Sequence, residues 1–293
     1  MNCWAKRMAS KTSEEIFEPT FCWVVALRAE AQPLISILNL RSISNDLNFP
    51  IYTNAETGHA LVISGVGNVK SAVAATYLRI VCKVKSFAAW INFGIAGYYS
   101  EPVGQIIQAI KVSDLARNKS YFPGVRLTKI IAIAPLYTVS QVEKAYSQPV
   151  LYDMEAAGFC EIVPSFCCNE LIFVLKVVSD TPKTSAETVS KKQIKKLILQ
   201  NTEKICELIS EISHIVDSEK ARLSIPEEVF NCLEIHHFSA TNRHRLLQVY
   251  RKWKTAFPER SLIDSSKSAS SAKGLIYCLE SELKIAAKDW KLN

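Results

Sequence analysis

Phe21-Cys22-Trp23-Val24-Val25-Ala26-Leu27 is an unbroken apolar run, and Arg28-Ala29-Glu30 follows it directly. A short run without polar alternation suits a strand buried on both faces. Residues 30–38 then read as a helix, so the run opens a strand-to-helix junction. The pattern recurs along the chain. His59-Ala60-Leu61-Val62-Ile63-Ser64 is a second buried strand, which runs into Gly65-Val66-Gly67-Asn68 and a helix over 69–83. A third strand, 87–93, closes on Gly94-Ile95-Ala96-Gly97. Further strands are predicted over 105–110, 129–134 and 171–178, with a helix over 154–163 between the last two. A long amphipathic helix follows, with Ile194, Leu197, Ile198, Ile205, Leu208, Ile209 and Ile212 on one face. Strands alternating with helices predict an α/β fold: a central, largely parallel or mixed sheet flanked by helices.

The chain has 293 residues, 48% apolar and 22% charged, the balance of a globular protein with a real core. Three parts are expected: an N-terminal arm over 1–20, the α/β domain over 21–220, and a helical, basic C-terminal extension over 221–293. The net charge is +7, much of it near the two ends, so the chain as a whole does not read as a nucleic-acid binder. Its nine cysteines show no CxxC pair, and several lie inside apolar runs. They read as buried, reduced thiols of a cytoplasmic protein. The five histidines do not join them at ligand spacing, so no metal site is expected. The first residues lack the apolar core of a signal peptide, and no stretch reaches the roughly 20 apolar residues that span a bilayer.

In open α/β sheets, ligands bind outside the carboxyl ends of the strands. Every candidate motif of this chain falls at such an end. Ser64-Gly65-Val66-Gly67 resembles a phosphate-cradling turn, but it is neither a full GxGxxG nor a P-loop, which argues against dinucleotide or ATP binding. The small residues around Ile95, Ala96 and Gly97 would let a flat ligand approach the backbone closely. His59 is the only histidine before residue 214 and reads as structural, so nucleophilic catalysis through a histidine is disfavoured. Acid–base work would fall to carboxylates. Glu30, the Asp153-Met154-Glu155-Ala156 stretch and Ser179-Asp180 bring acids to strand-to-helix junctions among apolar residues, where burial raises a carboxyl pKa.

Beyond residue 220 the character changes. Pro226-Glu227-Glu228 opens a short helix. Residues 241–257 carry Arg243, Arg245, Arg251, Lys252 and Lys254 with no acid, and a seam of Leu246, Tyr250, Trp253 and Phe257. Two readings stand. The helix docks on the domain through that seam, or its basic face meets nucleic acid. Residues 261–273 read as a linker before a last helix over 275–290.

Five stretches occur in the order and approximate spacing of a known superfamily: Val25-Ala26-Leu27-Arg28-Ala29-Glu30, Ser64-Gly65-Val66-Gly67, Asn92-Phe93-Gly94-Ile95-Ala96-Gly97, Asp153-Met154-Glu155-Ala156 and Val178-Ser179-Asp180. Together they resemble the purine nucleoside phosphorylase/uridine phosphorylase superfamily, and within it the methylthioadenosine/S-adenosylhomocysteine nucleosidase branch, over residues 21–217. The resemblance implies that Glu30 activates the attacking water. Glu155 would bind the ribose hydroxyls with Met154 on the sugar, and Asp180, with Ser179 holding the base, would direct a proton toward purine N7. It further implies no cofactor, a small nucleoside substrate and a homodimer. The chain also departs from the pattern. Ile95 stands where serine is usual, Lys176 where arginine is usual, and the segment between 133 and 151 is short, with a base-binding loop at Tyr137-Thr138-Val139. Arg28, Ser64 and Gly65 form a candidate anion site, which keeps phosphorolysis with phosphate as co-substrate open beside hydrolysis. A nucleoside-binding or partner protein that has lost catalysis is the third reading.

Overall fold

Val24 and its neighbours have no polar face because they sit in the middle of a sheet. In the computed structural model, which describes residues 17–44, 47–100, 102–129, 132–183 and 189–289, β1 (Phe21–Val25) is buried at every position. It lies parallel to both β4 (His59–Ile63) and β5 (Ala89–Tyr98). On one side β4 pairs with β3 (Ile51–Asn54), which carries the two-residue β2 (Arg41–Ser42) at the edge. On the other side are β6 (Ile106–Asp114), β7 (Lys119–Tyr121), β8 (Ile133–Thr138), β9 (Leu151–Asp153) and β10 (Ile172–Asp180). Here the sheet closes on itself. β5 pairs with β10, β10 with β6, β6 with β8, β8 with β9, and β9 returns to β5. Parallel and antiparallel pairings are mixed. Because of the closure, Gly97 at the end of β5 faces Asp180 on one neighbour and Tyr152 on the other.

Helices α1 (Arg28–Ile37), α2 (Asn68–Val81), α3 (Ala156–Ile162), α4 (Lys191–Leu199) and α5 (Thr202–Leu223) complete this part of the chain. Their buried faces join the strands in one core, which includes Trp23, Trp90, Phe93 and Phe159. The N-terminus of α2 and the start of α3 meet closely. The Asn68 side chain accepts the Gly158 amide at 2.8 Å. A Cβ at Gly158 would collide with the Asn68 backbone, coming within 2.8 Å of its Cα.

The chain forms two compact units, 1–220 and 221–293. The second is all helical: α6 (Glu227–Ile235), α7 (Ala240–Ala256), α8 (Leu262–Ser268) and α9 (Ala272–Asp289). It has its own core of Val229, Leu246, Trp253, Leu262, Leu275 and Leu279 among others. The seam of α7 packs inside this unit. Two of its cations are paired there, Arg245 with Glu280 at 2.7 Å and Lys254 with Glu228 at 3.2 Å.

Several expected boundaries move. The stretch 261–273 is not a linker: the Ser261 hydroxyl caps α8, and Leu262 is fully buried. Of the strand expected over 129–134, residues 130 and 131 lie outside the described residues, and the strand described is Ile133–Thr138, with alternating burial. The glycine segment 94–97 does not end a strand but lies within β5, where its small side chains leave room for neighbouring groups. The helix expected over 154–163 starts at Ala156, after a short strand that sequence pattern did not reveal. The long amphipathic helix is two, broken at residues 200–201. The N-terminal arm lies outside the described residues except for 17–20. The eight cysteines among the described residues are all free, and no helix among them is long and apolar enough to cross a membrane.

Replacing Gly158 with alanine should destabilise the α/β unit by about 1–3 kcal/mol, the usual cost of overpacking. A urea-unfolding midpoint lower than that of the unsubstituted protein checks it.

Candidate active site

The carboxyl ends of β1, β4, β5, β9 and β10 surround one cavity of about 320 Å³. A pocket of that size suits a small molecule. Its wall includes Glu30, Glu155 and Asp180, from three junctions far apart in sequence, together with Met154, Ser179, Ile95, Ala96, Gly97 and Val139. Tyr146, Tyr152 and Asp153 complete its polar side. Arg28, Ser64 and Gly65 are not among the lining residues. Arg28 is exposed on the first turn of α1, and the Ser64 hydroxyl turns back to donate to the Gly65 carbonyl at 2.8 Å. Of the expected base-binding loop only Val139 reaches the cavity. Tyr137 and Thr138 belong to β8, where hydrogen bonding and packing fix them.

Glu30 sits one turn into α1 and is almost wholly buried. Its Oε2 accepts the Leu27 amide at 2.7 Å and its Oε1 accepts the Ile95 amide at 2.8 Å. The second bond crosses from α1 to β5 and needs Gly94 beside it, since a Cβ there would stand 2.8 Å from Oε1. Burial pushes the Glu30 carboxyl above its usual pKa, and the two amides and Lys176 only partly offset this. Because the Ile95 contact is made by its backbone, the side chain at that position does not alter the bond.

Glu155 occupies the turn before α3. Its Oε1 accepts the Gly67 amide at 2.9 Å. Gly67 is the residue before α2 and has φ +115°, a left-handed conformation that suits glycine. The turn at 64–67 thus does hold an acidic group at a helix N-terminus, but that group is a side chain of the protein itself. Burial first, and then the neighbouring Asp153, push the Glu155 pKa to about 7, with Lys176 and the Gly67 amide opposing.

Asp153 is the anchor. Its Oδ1 accepts the Thr138 hydroxyl at 2.8 Å, and its Oδ2 accepts the Ala156 amide at 2.9 Å. The same Oδ2 pairs with Lys176 Nζ at 2.8 Å. Burial works against the Lys176 charge, but Asp153 and then Glu155 more than offset it and hold the ammonium above its ordinary pKa. Asp180 stands at a bulge in β10 between Val178 and Asp180, a distortion that re-aims side chains at a strand end. The Ser179 and Tyr146 hydroxyls both donate to it, Ser179 at Oδ1 and Tyr146 at Oδ2. His59 lies apart, stacked on Phe21 and accepting the Trp23 indole N–H at 3.1 Å. Burial lowers its pKa to about 4, in keeping with a neutral structural role. No cluster of His, Cys, Asp and Glu among the described residues has the geometry of a metal site.

Sequence reasoning missed two residues here. Lys176 was noted only as a departure, although a lysine inside an apolar strand signals a buried partner. Tyr146 sits in a segment with no motif.

No protein-family profile matches the sequence, and no curated protein matches it. Solved structures do match. The apo 5′-methylthioadenosine nucleosidase of Arabidopsis thaliana superposes with a TM-score of 0.55 at 16% identity, over 67% of this chain and 96% of that one. The Helicobacter pylori 5′-methylthioadenosine/S-adenosylhomocysteine nucleosidase, solved with butyl-thio-DADMe-Immucillin-A, gives 0.51 at 14% identity, over 67% and 99%. The futalosine hydrolase of H. pylori strain 26695 gives 0.52 at 13% identity, over 68% and 100%. The α/β unit therefore has the nucleoside phosphorylase-like fold.

Glu155 resists ionisation in the folded protein. Its carboxyl contributes stability that is fully present below its ordinary pKa of 4.5 and is lost as pH rises through about 7. Glu155→Gln should remove this dependence. Unfolding free energies measured from pH 4.5 to 8 should fall more steeply in the wild type than in the variant.

Proposed function

We propose that the protein is a purine nucleosidase, which hydrolyses the N-glycosidic bond of an adenine-type nucleoside of the methylthioadenosine, S-adenosylhomocysteine or 5′-deoxyadenosine class. The observation that carries this reading is the convergence of Glu30, Glu155 and Asp180 on one cavity. Breaking such a bond makes the sugar cationic and the base anionic. Asp180 gives a proton to purine N7 as the bond from the anomeric carbon to N9 breaks and its electron pair passes to the base. Glu155 binds the ribose hydroxyls, and in its ionised form its charge favours the cationic sugar. A water attacks the anomeric carbon and leaves its proton on Glu30, whose raised pKa suits a base. Solvent returns the proton from Glu30 to Asp180. No cofactor enters the reaction. The names of the three structural neighbours, all N-glycoside hydrolases, favour the same chemistry.

Hydrolysis is preferred over phosphorolysis because Arg28, Ser64 and Gly65 lie outside the cavity lining and the 64–67 cradle already holds Glu155. The test is incubation with methylthioadenosine, S-adenosylhomocysteine, 5′-deoxyadenosine, adenosine and futalosine, with and without phosphate, followed by chromatography of free base. Base should appear without phosphate, and Asp180→Asn should slow its release at least about 100-fold, the typical weight of a general acid. Release only with phosphate would replace the reading by a phosphorylase. No release, with ligand-induced thermal shifts, would replace it by a binding protein.

The proposed assembly is a homodimer. Val69, Val73 and Ile80 leave an exposed apolar stripe on α2, beside the cavity-lining Val66. Sedimentation should give the mass of two chains, and Val69→Asp combined with Val73→Asp should give that of one.

A further inference from the structure

The loop between β8 and β9 contributes Val139, Val142, Glu143 and Tyr146 to the cavity wall. Tyr146 is almost wholly buried, while residues 144, 145, 147, 148 and 149 are exposed. Its ring packs edge-on against Tyr152 with centroids 5.7 Å apart, and Tyr152 packs against Tyr137 in the same way at 6.1 Å. Together with Val139 and Val150 these tyrosines form a small cluster separate from the main core. The Tyr146 backbone has φ +46°, a left-handed conformation that is uncommon for a bulky residue. What repays it sits at the other end of the side chain, where the hydroxyl donates to Asp180 Oδ2. The seat for the ring is Gly97. A Cβ there would strike both the Tyr146 ring and the Asp180 carboxylate.

We infer that Tyr146 is the positioning residue for Asp180: its hydroxyl, with that of Ser179, fixes the plane in which the carboxyl meets the leaving base. This rests on the nucleosidase reading above and adds to it the group that aims the acid. Ser179 alone grips one oxygen and is adjacent to Asp180 in the chain, so it leaves the far oxygen free to swing. Tyr146 reaches the far oxygen from a different element and removes that freedom. Tyr146 itself transfers no proton. Burial, and then the bond to Asp180, raise its pKa, so the phenol stays protonated and acts as a donor throughout.

The consequence depends on the leaving group. A purine needs the proton from Asp180, and its departure suffers if the acid is misaimed. A 4-nitrophenyl riboside instead expels 4-nitrophenolate, which carries the bond's electron pair without needing a proton from an acid. Tyr146→Phe keeps the ring and its packing and deletes only the hydroxyl. On the best nucleoside of the panel it should lower kcat at least about 10-fold with KM within about 2-fold. On 4-nitrophenyl β-D-riboside both constants should stay at wild-type values. Equal losses on both substrates would overturn the inference in favour of a packing role, as would wild-type kcat on both. A faster variant would overturn it in favour of a tyrosine that obstructs the base. Failure of the nucleosidase reading looks different: the wild type would then release neither base nor 4-nitrophenolate, and the inference would fall with it.

Discussion

The candidate site depends on one buried ammonium. Lys176 lies in the middle of β10 with its side chain 3% exposed, and the Asp153 side chain it meets is wholly buried. Burying an ion costs several kcal/mol, and only a partner with well-placed hydrogen bonds offsets that. Asp153 supplies both. It binds Lys176, the Thr138 hydroxyl and the first amide of α3, and so ties β8, β9, β10 and α3 together at one point. Lys176 is also the positive charge felt by Glu155 and Glu30. Without it, three buried acids would face one another with main-chain amides and the Thr138 hydroxyl to balance them. Removing one partner of such a pair typically costs about 3–5 kcal/mol, because the other is left buried and unpaired.

That constraint divides the acids by role. Asp153 has both oxygens satisfied within the scaffold and works on structure. Glu30 and Glu155 are each held by main-chain amides from two segments, which fixes their direction while burial keeps their pKa values high. Among the described residues, the hydroxyls of Ser179 and Tyr146 hold the Asp180 carboxyl from two different elements.

Much of this was legible in the sequence. The buried strands were visible because an element covered on both faces has no polar positions to disguise it, as in 21–25 and 59–63. Glu30 and Asp180 stood out at the ends of such strands, and Glu155 at the head of a helix. Closure of the sheet was not legible: it runs through β9, three residues long, too short to show a period. The glycine segment of β5 looked like a turn because small residues mark turns and close approaches alike. Here it serves the second purpose, with Gly94 beside Glu30 and Gly97 beside Tyr146 and Asp180. Tyr146 lies 34 residues from Asp180 in a polar loop, and only three-dimensional structure brings them together. The C-terminal unit was harder still. Its serines read as a linker, yet Ser261 is a helix cap and Ser266 is fully buried, bonded to Cys232.

The most direct test of the account is a crystal structure of the Asp180→Asn variant soaked with a purine nucleoside. The nucleoside should lie in the cavity, with its ribose hydroxyls within hydrogen-bonding distance of Glu155 and purine N7 facing residue 180. A nucleoside bound elsewhere, or seated with the sugar away from Glu155, would contradict it.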